Sequence, residues 1–157
     1  MNEMREVAAL SLAQHTARLQ ALMERPIANA LNPHGLSSAE LDVLGALMSH
    51  KEGGIRPGEL SSRLLLTTGG LSNILRRLKA DELIERRVDA RDGRSYTISL
   101  TSKGRVVARE AGLAVNAVID QLLEDVDSEV LQSASQLMHR VLAELGEDLP
   151  VHYHSRR

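Results

Sequence analysis

The sequence TTGGLSNILRRL at positions 67–78 has the pattern of one amphipathic helix. Its apolar residues recur at the spacing of a single helix face: Leu71, Ile74, Leu75 and Leu78. The opposite face carries four polar or basic side chains: Ser72, Asn73, Arg76 and Arg77. A hydroxyl at Thr67 or Thr68 can cap the start of this helix. The segment therefore predicts a helix that packs by one face and presents hydrogen-bond donors and positive charge on the other.

The period of the sequence changes after this helix. Residues 83–88 (LIERRV) and 95–100 (SYTISL) follow the two-residue alternation of β-strands. Between them Asp92-Gly93 is a hairpin turn signal, flanked by Arg91 and Arg94. The sequence predicts a two-stranded hairpin with arginines at its tip, and Arg94 is equally suited to pair with Asp89 and hold the turn.

Two shorter helices are predicted before position 67. Ser37 and Glu40 have the spacing of a capping box, so one helix is expected to open there. Ile55 then makes one short strand, and Pro57 is suited to the first position of the next helix. The order of helix, strand, helix, helix and hairpin is that of a winged helix-turn-helix.

In that fold the second helix of the pair enters the major groove of DNA, and the hairpin tip can reach a neighbouring minor groove. Asn73 can bind an adenine edge, while Arg76 and Arg77 suit guanine. Further candidates for base or phosphate contacts are Arg56, Thr67, Thr68, Ser72, Arg91 and Arg94.

The distribution of charge along the chain agrees with such an interface. Residues 55–105 carry eleven Lys and Arg against six Asp and Glu, a net charge of +5. The rest of the chain carries eight against fifteen, a net charge of −7. A basic middle segment between acidic flanks is typical of a polyanion-binding module carried on a scaffold that does not bind.

Long helices are predicted on both sides of this lobe. Residues 2–31 form the first, kinked or divided at Pro26. Another runs from Thr101 to about Asp125, and a last one begins at Asp127 and ends at Gly146. The second of these three helices is expected to bury Val107, Ala111, Ala114, Val118 and Leu122.

The apolar stripes of the long helices exceed what a small winged-helix lobe can cover, so a partner subunit is expected. The predicted fold is mainly α with a small β-wing, as one domain over 1–157. Within it, 37–101 is the winged helix-turn-helix lobe that binds DNA. Residues 2–31 and 102–146 form the helical dimerisation region.

The composition excludes several protein classes. The chain has no cysteine, so disulfide scaffolds, thiolate metal sites and cysteine nucleophiles are impossible. No phosphate loop, nucleophile elbow or zinc-protease motif occurs, so we expect neither an enzyme nor a cofactor. Of six histidines only His152 and His154 are closely spaced, and without a third ligand they predict no metal site. No apolar run is long enough to span a bilayer, and we expect a cytoplasmic protein.

The same motifs carry a family resemblance over the whole chain. Positions 67–78, LIERR at 83–87, DARDGR at 89–94 and LTSKG at 100–104 are similar to the MarR (multiple antibiotic resistance regulator) family of bacterial transcription factors. The resemblance implies a homodimer with intertwined terminal helices that binds a palindromic operator at the nucleoid, most commonly as a repressor. It also implies that a small phenolic or aromatic-acid ligand, bound between the dimer helices and the DNA lobe, releases the operator.

Three residues are candidates for ligand contacts. His15 and Arg18 can share one face of the first helix, and Asp42 opens the string Asp42-Val43-Leu44, which resembles family members that sense urate and related aromatics. A cation from the first helix can pair with a ligand carboxylate. The alternative function for the chain is a winged helix that binds only other proteins. That function would leave Asn73 and the basic hairpin without a task.

Overall fold

The computed structural model describes residues 2–50, 54–88 and 96–147. Its elements in chain order are α1 (Asn2–Leu31), α2 (Ser38–Ser49), α3 (Pro57–Arg63), α4 (Thr68–Ala80), β1 (Ile84–Val88), β2 (Tyr96–Leu100), α5 (Ser102–Leu122) and α6 (Ser128–Glu144). The predicted class, mainly α with a small β-wing, is confirmed. Among the described residues no helix is both long and apolar enough to cross a membrane.

The first helix, α1, is a single element that contains Pro26, so the division considered from the sequence does not occur. Side chains from 12 to 22 are all exposed, and α1 packs on the core only towards its end, at Ile27, Ala30 and Leu31. Most of the helix therefore extends beyond the core of its own chain.

A tight connection joins α1 to α2. The 3-10 turn Asn32–His34 ends at Gly35, whose φ of +66° is a conformation that favours glycine. Ser37 then caps α2: its hydroxyl accepts from the Glu40 N–H at 3.3 Å, and its own N–H donates to Glu40 Oε2 at 2.7 Å. The predicted capping box is confirmed.

The wing strands β1 and β2 are antiparallel, with Arg86 opposite Ile98 and Glu85 opposite Ser99. Ile55 adds a bridge on the far side of β2, exchanging two backbone hydrogen bonds of 2.9 Å with Ile98. This confirms the single strand residue predicted between α2 and α3. The predicted turn at 89–94 lies outside the described residues.

The fully buried large side chains come from the winged lobe and the end of α1: Leu31, Val43, Leu44, Ile55, Leu60, Leu78 and Ile98. Burying each of these side chains stabilises the lobe by roughly 1.5 to 3 kcal/mol. The core therefore lies beneath α4 and fixes its position.

The buried face of α5 differs from the predicted one. Gly104, Ala108, Ala111 and Val115 face the core, whereas Val107, Ala114 and Val118 are half-buried and Leu122 is exposed. Of the predicted set only Ala111 is buried. Small residues take the inner positions because α5 runs close to α1 and α2, and larger side chains are left at the edges or outside.

The last helix, α6, buries no residue within its own chain. Its apolar stripe is open to solvent, and Leu137 and Leu145 are 59% and 72% exposed. Gly146 ends it at a φ of +82°, as predicted. A helix with this pattern needs a second surface to cover it.

Candidate DNA-binding interface

The apolar face of α4 holds it in the lobe. Leu71, Leu75 and Leu78 are buried where α4 meets α2, α3 and β1. At its start, Thr67 is the cap, since its hydroxyl accepts from the Gly70 N–H at 3.1 Å. Leu65 makes the turn from α3 with a φ of +51°. The helix is thus placed by packing on one side and by a capped, tight turn at its N-terminus.

The opposite face of α4 is exposed along its length: Thr68, Ser72, Asn73, Arg76 and Arg77. Within it, Arg76 Nη2 donates to Asn73 Oδ1 at 3.0 Å, a contact between residues three apart on one face. Because this partner is neutral, the contact brings no negative charge next to Arg76. The pair places an amide and a guanidinium side by side, and these are the two groups that bind base edges in the major groove.

Arg77 is engaged differently, although it is the next residue. Its Nε lies 3.3 Å from Glu40 Oε1, and its Nη2 donates to the Gly35 carbonyl at 3.4 Å. The Glu40 side chain is only 3% exposed, while that of Arg77 is 61% exposed. The sequence alone predicts that Arg77 contacts DNA and that Glu40 takes part in the cap of α2. The two residues are 37 positions apart, and no local sequence rule links residues at that separation.

On α3, Arg56 is the N-cap residue and is exposed, and its side chain makes no capping hydrogen bond. Pro57 follows at the first helical position, where a missing N–H costs nothing. Further along, Arg63 pairs with Glu59 at 2.7 Å, with both side chains 43% exposed. Part of the positive charge counted in the sequence is therefore matched by acids of the same lobe.

The strands of the wing engage their own basic residues. Arg87 donates to Glu85 Oε1 through Nε at 2.9 Å and Nη2 at 2.6 Å, and Ser99 donates to the same oxygen at 3.2 Å. These contacts, with Arg87 first, lower the pKa of Glu85 below its ordinary value of 4.5. Arg86 lies over the ring of Tyr96, 4.7 Å from its centre. Neither the Glu85 contacts nor the Arg86–Tyr96 contact was predicted from the sequence, although the register of the two strands could have indicated them.

Two of the predicted DNA-binding residues, Arg91 and Arg94, lie outside the described residues, together with Asp89. Their assignment to the minor groove, and the alternative pairing of Arg94 with Asp89, stay predictions.

Comparison with known proteins bears on this arrangement. The family model described as MarR family matches residues 34–95, which run from the end of the 3-10 turn to the edge of β2. The repressor Rv2887 of Mycobacterium tuberculosis, described as an HTH-type transcriptional repressor, is 27% identical over 131 residues, which cover 83% of this chain and 90% of that protein. The chain is therefore similar to the MarR family over its winged lobe and to a curated repressor over most of its length.

Solved structures of MarR regulators show the same fold. MepR of Staphylococcus aureus, determined as a DNA complex, superposes with a TM-score of 0.73 at 22% identity, covering 84% of this chain and 96% of that one. CouR of Rhodococcus jostii RHA1, bound to p-coumaroyl-CoA, has a TM-score of 0.73 at 20% identity, covering 83% and 90%. The family resemblance inferred from the wing and α4 is confirmed.

The three residues predicted to contact a ligand lie at exposed positions of two helices. His15 and Arg18 lie on the exposed part of α1, where Ser11 Oγ and His15 Nδ1 are 3.4 Å apart, and Asp42 lies on an exposed position of α2. An open groove of about 580 Å³ lies instead between α1 and α5. It is lined by Arg25, Pro26, Asn29, Ala30 and Val118. Arg25 is a cation that sequence analysis did not single out.

Proposed function

We propose that the protein is a homodimeric, sequence-specific DNA-binding repressor of transcription that acts in the bacterial cytoplasm, at the nucleoid. The observation that carries this is the exposed face of α4, where Asn73 and Arg76 are joined on a helix that packs on the core through three buried leucines. The match of residues 34–95 to the MarR family model and the name of the mycobacterial relative support it.

The two protomers are proposed to pair through α1, α5 and α6, whose apolar side chains the single chain leaves uncovered. Two copies of α4 would then lie about 34 Å apart, one turn of DNA, and would contact inverted half-sites of a palindrome. In this arrangement Asn73 and Arg76 contact base edges, while Arg56, Thr67, Thr68 and Ser72 contact phosphates or bases. The wing arginines Arg91 and Arg94 are proposed for the minor groove.

The test is fluorescence anisotropy of a labelled duplex from the gene's own upstream region, titrated at two salt concentrations. Arg76→Ala and Asn73→Ala are expected to cost about 1 to 3 kcal/mol on the specific site and to relax sequence preference. Arg140→Ala, which removes a charge from the exposed surface of α6, is the control and is expected to bind as the wild type does.

Two results would count against the proposal. Equal losses on specific and random DNA would mean that Asn73 and Arg76 contact only phosphates. No binding to either duplex at low salt would overturn the DNA-binding function and would favour a winged helix that binds proteins.

We further propose that a small aromatic or phenolic acid releases the operator. The support is a protein of the same fold bound to p-coumaroyl-CoA, together with two cations of α1: Arg25, which lines the groove between α1 and α5, and Arg18, which is exposed. Repeating the titration with a panel of aromatic acids identifies the compound class. Arg18→Ala is expected to weaken the effector response and to leave DNA affinity unchanged, whereas an unchanged response curve would exclude Arg18 from the site.

A further inference from the structure

The side chain of Glu40 is nearly inaccessible, yet it carries a carboxylate. Its two oxygens have separate partners: Oε2 accepts from the N–H of Ser37 at 2.7 Å and from its hydroxyl at 2.9 Å, while Oε1 faces Arg77 Nε at 3.3 Å. The capping box therefore uses one oxygen only. The other oxygen is matched by the single guanidinium that the described residues place against it.

The same guanidinium reaches a second element. Arg77 Nη2 donates to the carbonyl of Gly35, which ends the 3-10 turn after α1. Leu31, four residues earlier, is completely buried and anchors the end of α1 in the core. One side chain of α4 thus joins the helix both to the α1–α2 connection and to the first turn of α2.

We infer that Arg77 is a positioning residue, whose guanidinium holds the rotation of α4 against Glu40 and Gly35 so that Asn73 and Arg76 face the DNA. The inference rests on the proposed function. Arg76 and Arg77 are adjacent and point about 100° apart around the helix, so the neighbour of a base-contacting residue can lie at the edge of the interface. A forked guanidinium can bind two acceptors at once, which a lysine cannot do with the same geometry.

The sharpest test is Glu40→Gln, because glutamine keeps an acceptor for the capping box but removes the charge that faces Arg77. We expect about tenfold weaker operator binding, a smaller change on random DNA and an unchanged dependence of affinity on salt, since no phosphate contact is lost. A DNA-contacting Arg77 predicts the opposite sign, because its release from Glu40 would tighten binding. Tighter binding by Glu40→Gln therefore overturns the inference.

Variants at Arg77 give a second, independent readout. Arg77→Ala is expected to weaken operator binding without changing the slope of log affinity against log salt, and Arg77→Lys is expected to behave like alanine. A slope reduced by about one unit per subunit in Arg77→Ala would mean a phosphate contact. If Arg77→Lys bound the operator with wild-type affinity, a positive charge at position 77 would be sufficient and the forked guanidinium would not be needed. Either result contradicts the positioning role.

Ser37→Ala is the matched control, since it removes the hydroxyl of the cap and leaves the Arg77–Glu40 pair in place. It is expected to lower thermal stability while operator affinity stays within about twofold of the wild type. A loss of affinity equal to that of Glu40→Gln would assign the effect to the α2 cap and would overturn the inference.

A measurement without DNA separates this inference from the proposed function. In ¹⁵N-resolved NMR of the free protein, the Arg77 Nε–H signal is expected to exchange with water more slowly in the wild type than in Glu40→Gln, because the ion pair restrains the side chain. Equal exchange rates in the two proteins would overturn the inference that Glu40 holds Arg77. If the wild type binds no duplex, the proposed function is overturned instead, and the exchange rates still test whether Glu40 holds Arg77.

Discussion

Gly104, in the first turn of α5, lies against Leu83, the residue just before β1. A Cβ built at Gly104 would overlap the carbonyl oxygen of Leu83, which is backbone and cannot turn away. The hydroxyl of Thr101 caps the same turn, accepting from the Gly104 N–H at 2.9 Å. The Leu-Thr-Ser-Lys-Gly string seen in the sequence thus has a physical cause, since only glycine allows the start of α5 to approach β1 this closely.

Gly104→Ala is therefore expected to lower the free energy of unfolding by about 3 kcal/mol, because the backbone must move to admit one methyl group. Gly69→Ala is the matched control: it adds the same methyl to an exposed helix position with nothing within 4 Å, and is expected to stabilise by about 0.5 kcal/mol. Urea denaturation of the three proteins measures both. Similar stabilities for Gly104→Ala and the wild type would contradict the close approach.

Glu82 has a backbone conformation that glycine adopts more easily than a residue with a side chain. Its φ is +59°, in the left-handed region that costs a side-chain-bearing residue about 1 to 2 kcal/mol. Its exposed ion pair with Lys103, at 4.0 Å, adds little stability to offset this cost. Glu82→Gly is expected to raise the free energy of unfolding by about 0.5 kcal/mol, after the greater freedom of glycine in the unfolded chain is subtracted. Glu82→Ala keeps the strained φ, so equal stability of the alanine and glycine variants would refute the argument.

At the scale of elements, the wing carries a pH-sensitive contact on its β1 strand. Arg87 holds the pKa of Glu85 below 4.5, so the contact stabilises the folded wing above that pH and is lost as the pH falls through the lowered value. In Arg87→Ala the pKa of Glu85 is expected to rise back towards 4.5. A ¹³C NMR titration of the carboxyl group measures it. Arg86→Ala, which removes the neighbouring cation that lies over Tyr96, is the control, and a Glu85 pKa that moves equally in both variants would argue against the paired geometry.

Most elements followed from the sequence because local rules decide them. The capping box at Ser37, the proline at the start of α3 and the leucine spacing of α4 each act within one or two turns, and each is found where predicted. The buried face of α5 was mispredicted, because the apolar side chains around that helix allow more than one buried face. The buried face is set by the packing of α5 against α1 and α2 and by the close approach of Gly104 to Leu83, twenty-one residues earlier in the chain.

The candidate site shows the same limit. The exposed face of α4 was predictable from period and polarity, and Asn73 and Arg76 are both on it. The partner of Arg77 was not, because Glu40 reaches it only after two helices pack together. The sequence therefore predicts which residues face outwards, whereas the fold decides which of them are held by another side chain.

At the scale of the molecule, the exposed stripe of α6 predicts that the folded unit is a pair of chains. Leu137→Glu places a charge on the stripe and is expected to weaken dimerisation by about 2 kcal/mol or more. Sedimentation equilibrium over a concentration series measures the change. Gln136→Glu adds the same charge one residue away, on the polar side of α6, and is expected to leave the dimer intact. A Leu137→Glu dimer as tight as the wild type would exclude this surface from the interface.

For the proposed dimeric repressor, the uncovered face of α6 also affects how strongly repression depends on the amount of protein. When two chains must pair to cover this face, the fraction of chains in active dimers depends on how many chains are present. At low abundance the number of operator-competent molecules then grows with the square of the chain concentration. Occupancy of the operator then changes over a narrower range of protein concentration than it would with a monomeric repressor. When cell growth dilutes the protein, occupancy also falls more steeply than the protein concentration.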